Sequence, residues 1–329
     1  MKTSRIPAVL LLALSACAHS PGGYYFWKSE WKLEEKNLPY LNQSRFAYIR
    51  MFDVALEGGE AKPSGTIRFA SRWPEHLEAV PVVFITQEAI KAQNDSQVPV
   101  LAERIHRLMR NLEQSGSLPE IREWQIDCDW SAKTESRYFT LLKQLKRLEP
   151  QRRLSVTIRL HQLSTSVPPA DRGMLMLYGF ENPADYRQAN SIFDEKRAAP
   201  YLRKLKSYPL TLDLALPVFS WAVVFYQGSF RHLIRDNTAS LRQADGLTDL
   251  SAPWSRSQWF RAEKNLWIGP DRIPAGAEIR LEETGPAIAR RAKSLVDLSA
   301  PPFASDSRIV LFDFHSAQNY SVSEIEAIF

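Results

Sequence analysis

Glu123-Trp124-Gln125-Ile126-Asp127-Cys128-Asp129-Trp130 and Arg153-Leu154-Ser155-Val156-Thr157-Ile158-Arg159-Leu160-His161 are the stretches on which the fold turns. Successive side chains of a strand point to opposite faces. In the second stretch Leu154, Val156, Ile158 and Leu160 therefore share one face, and Ser155, Thr157, Arg159 and His161 the other. In the first, Ile126 and Cys128 oppose Gln125, Asp127 and Asp129. A strand covered by helices on both sides reads as an unbroken apolar run. A polar face on an otherwise buried strand predicts instead the inside of a closed barrel. Its polar strand ends would sit at the mouth, where barrel enzymes keep their chemistry.

Working outward, further strands are expected near 46–54, 80–86, 173–179, 211–221, 277–284 and 308–315, eight in all. Helices fit 98–115, 133–148, 185–192, 197–207, 228–243, 286–296 and 322–328. The first of these puts Val100, Leu101, Ile105, Leu108, Met109 and Leu112 on one face at helical spacing. Strands alternating with helices predict an α/β protein, a (β/α)₈ TIM-like barrel in one domain over 45–329. An open doubly wound sheet is the alternative, but no Gly-rich loop follows the first strand. No internal repeat is visible.

The N-terminus has Lys2 and Arg5, an apolar run from Ile6 to Leu14, then Leu14-Ser15-Ala16-Cys17. A charged start, a short apolar core and small residues before a cut describe a secretory signal. The core is too short to span a bilayer, which needs about 20 residues. The cysteine resembles that of the lipobox cut by the bacterial lipoprotein signal peptidase. The expectation is a signal peptide over 1–16, lipidation (a palmitate-type acyl anchor) on Cys17, and a tether over 17–44. Multiple acyl chains hold a membrane stably. With Ala18 after the cysteine, an outer-membrane, periplasm-facing lipoprotein of a Gram-negative envelope is expected.

Composition excludes several classes. The chain has 42 Lys and Arg against 37 Asp and Glu, scattered along its length, so no concentrated basic patch suggests nucleic acid. Of its 2 cysteines, Cys17 is committed to lipid, which leaves Cys128 no disulfide partner. The six histidines show no ligand spacing, so neither a metal at His161 nor any cofactor is expected. No G-x-S-x-G elbow is present, and Cys128 is expected to face helices, away from any chemistry.

Asp127 and Asp129 are the leading candidates for catalysis. Two carboxylates at i and i+2 lie on one face, about 7 Å apart at the backbone. Crowded in a cleft, one would keep its proton near neutrality. The bland reading is that one caps the next helix and the other pairs with an arginine. Asp127-Cys128-Asp129-Trp130 resembles the end of the Asp-x-x-Asp-x-Asp-x-Glu strand of chitinase-like glycosidases, glycoside hydrolase family eighteen. That resemblance implies a barrel in which the final Glu is the acid and the preceding aspartate orients the substrate N-acetyl group. Trp124 stands at the first Asp position and Ser131 at the Glu position. Glu135, one helical turn on, is the candidate replacement acid. Met176-Leu177-Tyr178 resembles the family's Met-x-Tyr strand end, which implies that Tyr178 supports the reacting sugar. Its usual following Asp is Gly179 here.

Gln125 to Asp129, Glu135-Ser136-Arg137-Tyr138 and Leu154-Ser155-Val156-Thr157 are also similar to a bacterial lipoprotein family with a domain of unknown function. That similarity spans about a third of the chain, from 120 to 225. Further candidates for substrate binding are Gln125, Trp221 and Tyr226 as sugar platforms and neighbours, and Asp313, His315 and Asp53 at strand ends. Trp254, Trp259 and Trp267 are possible exposed platforms. Each has its structural alternative: a core aromatic, a salt-bridged aspartate, a surface histidine. Three functions follow: a glycoside hydrolase on an envelope or amino-sugar glycan, a non-catalytic glycan binder on a degenerate barrel, and an envelope-assembly protein with a protein partner. A third carboxyl at the cleft, from Glu135, Glu181, Glu282 or Asp313, would favour the hydrolase.

Overall fold

The computed structural model describes residues 22–235, 238–251 and 257–329. The expected signal peptide, Cys17 and Trp254 lie outside the described residues. Eight parallel strands close on themselves in chain order: β1 (Gly22–Phe26), β2 (Phe46–Glu57), β3 (Glu78–Ile85), β4 (Glu123–Cys128), β5 (Arg153–Arg159), β6 (Arg172–Met176), β7 (Leu212–Pro217) and β8 (Ile309–Phe312). The ring is completed by β8 pairing with β1 and β1 with β2. Closure excludes the open doubly wound sheet.

Alternation along each strand divides the core. Ile126, Cys128, Val156 and Ile158 point outward with Tyr24 and Phe26, against helices such as α1 (Gln97–Ser115) and α2 (Glu135–Leu148). Tyr25, Tyr48, Val82, Met174, Met176, Tyr178 and Val310 fill the interior. On α1 the buried stripe includes Leu101, Ile105 and Met109, whereas Val100 is exposed. At the N-terminal ends of the strands the interior is polar. Arg308 bonds the Tyr48 hydroxyl and pairs with Glu123, and Arg172 pairs with Asp213 and Asp306. A cavity of about 750 Å³ opens at that face among these charges, on the side away from the strand ends that could carry chemistry.

Five expectations need correction. From Gly22 onward the segment expected as a tether over 17–44 is part of the fold, because Gly22–Phe26 is the strand that closes the barrel. A β-carbon at Gly23 would sit 2.7 Å from the Phe46 carbonyl oxygen, so the closing strand needs glycine there to approach β2. The segment 277–284 is not a barrel strand. Glu278–Glu283 is the middle of a five-stranded antiparallel sheet inserted between β7 and β8, flanked by Ser220–Tyr226 and Gln258–Ala262. The stretch 211–221 splits at Val218 and Phe219 into β7 and the first strand of that insertion. The helix expected over 228–243 is instead a strand, Ser229–Ile234, with a short helix at Thr238–Leu241; 185–192 holds turns rather than a helix. The insertion carries its own apolar cluster, including Val224, Phe260, Ile279 and Leu281. Among the described residues no helix is long and apolar enough to cross a membrane.

Candidate functional site

The C-terminal strand ends hold a polar throat under an aromatic collar. Asp127, the last inward residue of β4, is 3% exposed. Its Oδ1 accepts a hydrogen bond of 2.6 Å from Thr157 Oγ1 and one of 3.1 Å from Arg159 Nη2. Both donors are the polar face of β5, delivered by the alternation that marks that strand in the sequence. The contacts fall on one oxygen, so among the described residues Oδ2 has no hydrogen-bond donor. Among the described residues the Arg159 side chain bonds Asp127 alone, which leaves the rest of its guanidinium edge for the throat. Deeper in, Tyr25 donates to Gln125 Oε1 at 2.5 Å, and Gln125 Nε2 is buried without a protein partner. Tyr178 is buried and its hydroxyl lies 3.2 Å from Met176 Sδ. Burial pushes the Tyr25 and Tyr178 phenols well above their ordinary value, so both are neutral donors here.

Asp129 lies one residue past β4 and is solvated. Its carboxylate is 3.7 Å from His161 Nε2, with both side chains about half exposed. The expected crowded carboxylate pair is therefore divided between two environments. For Asp127 the bland reading, an aspartate paired with an arginine, describes the contact. Ser131 is consumed by a turn: its amide donates to Thr134 Oγ1, and its carbonyl accepts from Thr134 and Glu135. Glu135 opens α2, where a carboxylate favours the positive end of the helix dipole. It makes no hydrogen bond or ion pair with Asp127 or Asp129.

Around the throat runs a chain of rings. Trp27 lies 6.2 Å from Phe84 and 5.4 Å from Phe312; Phe312 lies 5.3 Å from Tyr178 and 5.5 Å from Phe219; Phe219 lies 5.5 Å from Trp221. Trp27, Phe84, Phe219, Trp221 and Phe312 are all partly exposed, an apolar rim over buried polar groups. The Trp221 indole N–H is held by Glu282 Oε2 at 2.8 Å.

The other expected residues are placed as follows. Glu282 is fully buried, accepting from the Ser191 amide and hydroxyl and from Arg280. Glu181 accepts from Gln188 and Arg197. Asp313 caps the short helix Phe314–Ala317 by accepting from the Ser316 amide. His315, on that helix, packs against Phe26 and Phe314, which belong to the outward core. Asp53 is held by two bonds from Arg50. Tyr226 packs on the apolar cluster of the insertion, under Arg231. So the structure brings Gln125, Asp127, Tyr178 and Trp221 together, sets Asp129 at the rim, and gives Glu135, Glu181, Glu282, Asp313, His315, Asp53 and Tyr226 other work. Sequence reasoning passed over Trp27, Phe84, Phe312 and the part played by Arg159. The inward positions Tyr25 and Trp27, two apart, carried a signal for the first.

Solved structures share this architecture. A class V chitinase from Nicotiana tobaccum is 12% identical over 94% of this chain and 98% of its own, with a TM-score of 0.54. The spore cortex-lytic enzyme SleL of Bacillus cereus is 13% identical over 94% of this chain and 74% of its own, with a TM-score of 0.56. A family 18 N-acetylglucosaminidase from Paenibacillus barengoltzii is 10% identical over 94% of this chain and 100% of its own, with a TM-score of 0.53. At such identities the likeness is one of fold, the closed (β/α)₈ barrel that this chain shares with them. No protein-family model and no curated sequence matches the chain.

Proposed function

We propose that this protein holds an amino-sugar glycan in its barrel mouth, anchored through a lipid on Cys17 to the outer membrane and facing the periplasm. The observation that carries the reading is the aromatic collar above the Asp127–Arg159 throat. Rings offer apolar faces to the C–H faces of sugars, while a few convergent polar groups fix orientation. Asp127 Oδ2 is placed to accept from an amide N–H, and the unpaired edge of Arg159 to donate to the adjoining carbonyl. An acetamido group presents that pair. The structural neighbours, whose names are those of chitinases and an N-acetylglucosaminidase, point the same way.

Hydrolysis is the second reading, favoured by one observation: Asp129 and His161 form an exposed acid–base pair at the rim. Glycosidase chemistry needs a proton donor and a second carboxylate. Against it, Ser131, which has no carboxyl to give a proton, stands at the acid position, and Asp127 already has a counter-ion.

Calorimetric titration with chitohexaose and with peptidoglycan disaccharide fragments tests the first reading. Saturable binding that weakens about tenfold in Trp221→Ala is expected, the scale of one stacked ring and its bond. Absence of binding to both sugars overturns it. Product analysis on the same samples decides the second: turnover lost in Asp129→Asn supports hydrolysis. For the anchor, radiolabelled palmitate should enter the wild type and not Cys17→Ser, and the label should fractionate with outer membrane.

A further inference from the structure

On the inserted sheet, Trp221, Val223 and Phe225 face Glu282, Arg280 and Glu278, which in turn face Trp259 and Arg261. Directly opposed residues share a face. Trp221 of the collar and Trp259 therefore stand on one face of the sheet, separated by about 7 Å along the central strand and about 10 Å across it, with Val223, Arg280 and Glu282 between them buried under the loop that carries Tyr186.

The far end of that surface is a second group of rings. Tyr186 lies 4.8 Å from Trp259 and 5.0 Å from Phe225, and Phe225 stacks on Trp259 at 5.8 Å. Tyr186 is 40% exposed and Phe230, 6.4 Å from Phe225, is 38% exposed. Exposed rings usually owe their position to little, but Tyr186 is fastened at both ends. Its hydroxyl donates to Glu278 at 2.7 Å, and its carbonyl accepts from Arg280. Arg280 has no exposed surface. It bonds the Pro183 and Asp185 carbonyls as well, lies over Phe225 and Trp259, and donates to Glu282, the residue that holds Trp221. One buried ion pair thus links both platforms. A ring already ordered in the free protein adds contact without a further ordering cost.

We infer that Tyr186, Phe230 and the edge of Trp259 form a distal sugar subsite, so that the ligand is a polymer laid from the collar along the insertion. This rests on the glycan reading of the mouth and specifies chain length. Partly solvated Arg261, paired with Glu278, supplies polar neighbours for ring hydroxyls.

Full-length protein titrated with chitobiose and chitohexaose provides the test. Chitohexaose should bind the wild type more tightly than chitobiose. Tyr186→Ala, which truncates a loop side chain outside the cores, should weaken chitohexaose about fivefold and leave chitobiose unchanged. Tyr186→Phe should recover most of the difference, and Trp259→Phe should do likewise relative to Trp259→Ala. Equal affinity of the two sugars for the wild type, no change in Tyr186→Ala, or equal losses for both sugars overturns the subsite while the mouth reading stands. A wild type that binds neither sugar removes both.

Discussion

Replacing Asp127 by Asn removes the counter-charge of Arg159 while keeping an oxygen for the Thr157 hydroxyl. The two side chains are 5% and 19% exposed, so water can do little to screen the charge left behind. Breaking a buried ion pair from one side costs about 3–5 kcal/mol. The partial exposure of Arg159 sets the value at the lower end, about 3 kcal/mol. Arg159→Gln, which leaves a carboxylate in the throat with only Thr157, should cost about the same. If the pair is the source of both losses, the double variant will not lose their sum of about 6 kcal/mol. With two neutral amides in place of two charges it should lose about 4, a favourable coupling of about 2 kcal/mol. The assay is equilibrium urea unfolding of the wild type and the three variants, with the denaturant slope checked for constancy. Additive single losses, with coupling under about 0.5 kcal/mol, would refute the claim that Arg159 and Asp127 act as a pair. Chitohexaose titration of the same variants gives a second readout: Asp127→Asn should weaken binding more than its fold destabilisation explains, since the native fraction stays near unity in buffer.

Deletion through Trp27, harmless if that stretch were a tether, should abolish the cooperative thermal transition because β1 closes the barrel; a native-like melt would show the strand to be dispensable. Gly23→Ala should be destabilising by the same logic, with its new methyl driven against the Phe46 carbonyl. Burial pushes the Asp213 carboxyl up to about 6 from 3.8, overcoming the guanidiniums of Arg308 and Arg172, so its stabilising contribution is full below 3.8 and lost as pH rises through about 6. Urea unfolding across that window should show a loss of about 3 kcal/mol that Asp213→Asn lacks, and identical slopes would count against it. Cys128 is fully buried and burial raises its thiol well above the ordinary value, so it should resist a thiol reagent in the native state and react on unfolding; rapid native labelling would contradict its placement.

The barrel was legible because period-two alternation with one polar face survives in β4 and β5, and a closed barrel is what that pattern serves. The same pattern caused the main error. Ile279 and Leu281 oppose Arg280 and Glu282 as cleanly as Ile126 and Cys128 oppose Gln125 and Asp127. Alternation tells which residues share a face, and it carries no information on whether the neighbour runs parallel or antiparallel. Phe230, Leu233 and Ile234 are spaced as on one side of a helix, yet Ser229–Ile234 is a strand. Gln227 and Gly228 both adopt positive φ, the two central positions of a hairpin turn, and that Gln-Gly pair was the local sign of a strand to follow. In β1, neighbouring glycines and polar residues after Trp27 imitate a linker. Only pairing with β2 and β8 gives Gly22 and Gly23 their purpose. Asp127 stands out in the sequence by its place on the polar face, but its partner Arg159 lies 32 positions away, and proximity across two strands depends on their register.

The residues that depart from the chitinase-like pattern do so together. Where the pattern has its acid, Ser131 closes a turn onto Thr134. At one of the pattern's inner aspartates, Asp127 faces Arg159. An acid needs a proton to give, whereas a carboxylate with its counter-ion beside it is arranged to accept. The groups left facing the throat, Asp127 Oδ2 and the open edge of Arg159, are an acceptor and a donor side by side. Such a pair holds an amide without altering it. The aromatic collar, meanwhile, is continuous from Trp27 to Trp221, and the insertion spends a fully buried ion pair on fixing Trp221 and Tyr186. Those ordered, partly exposed rings are what supports the proposal that the mouth grips a glycan, and on that proposal any cleavage would fall to the solvated Asp129–His161 pair at the rim.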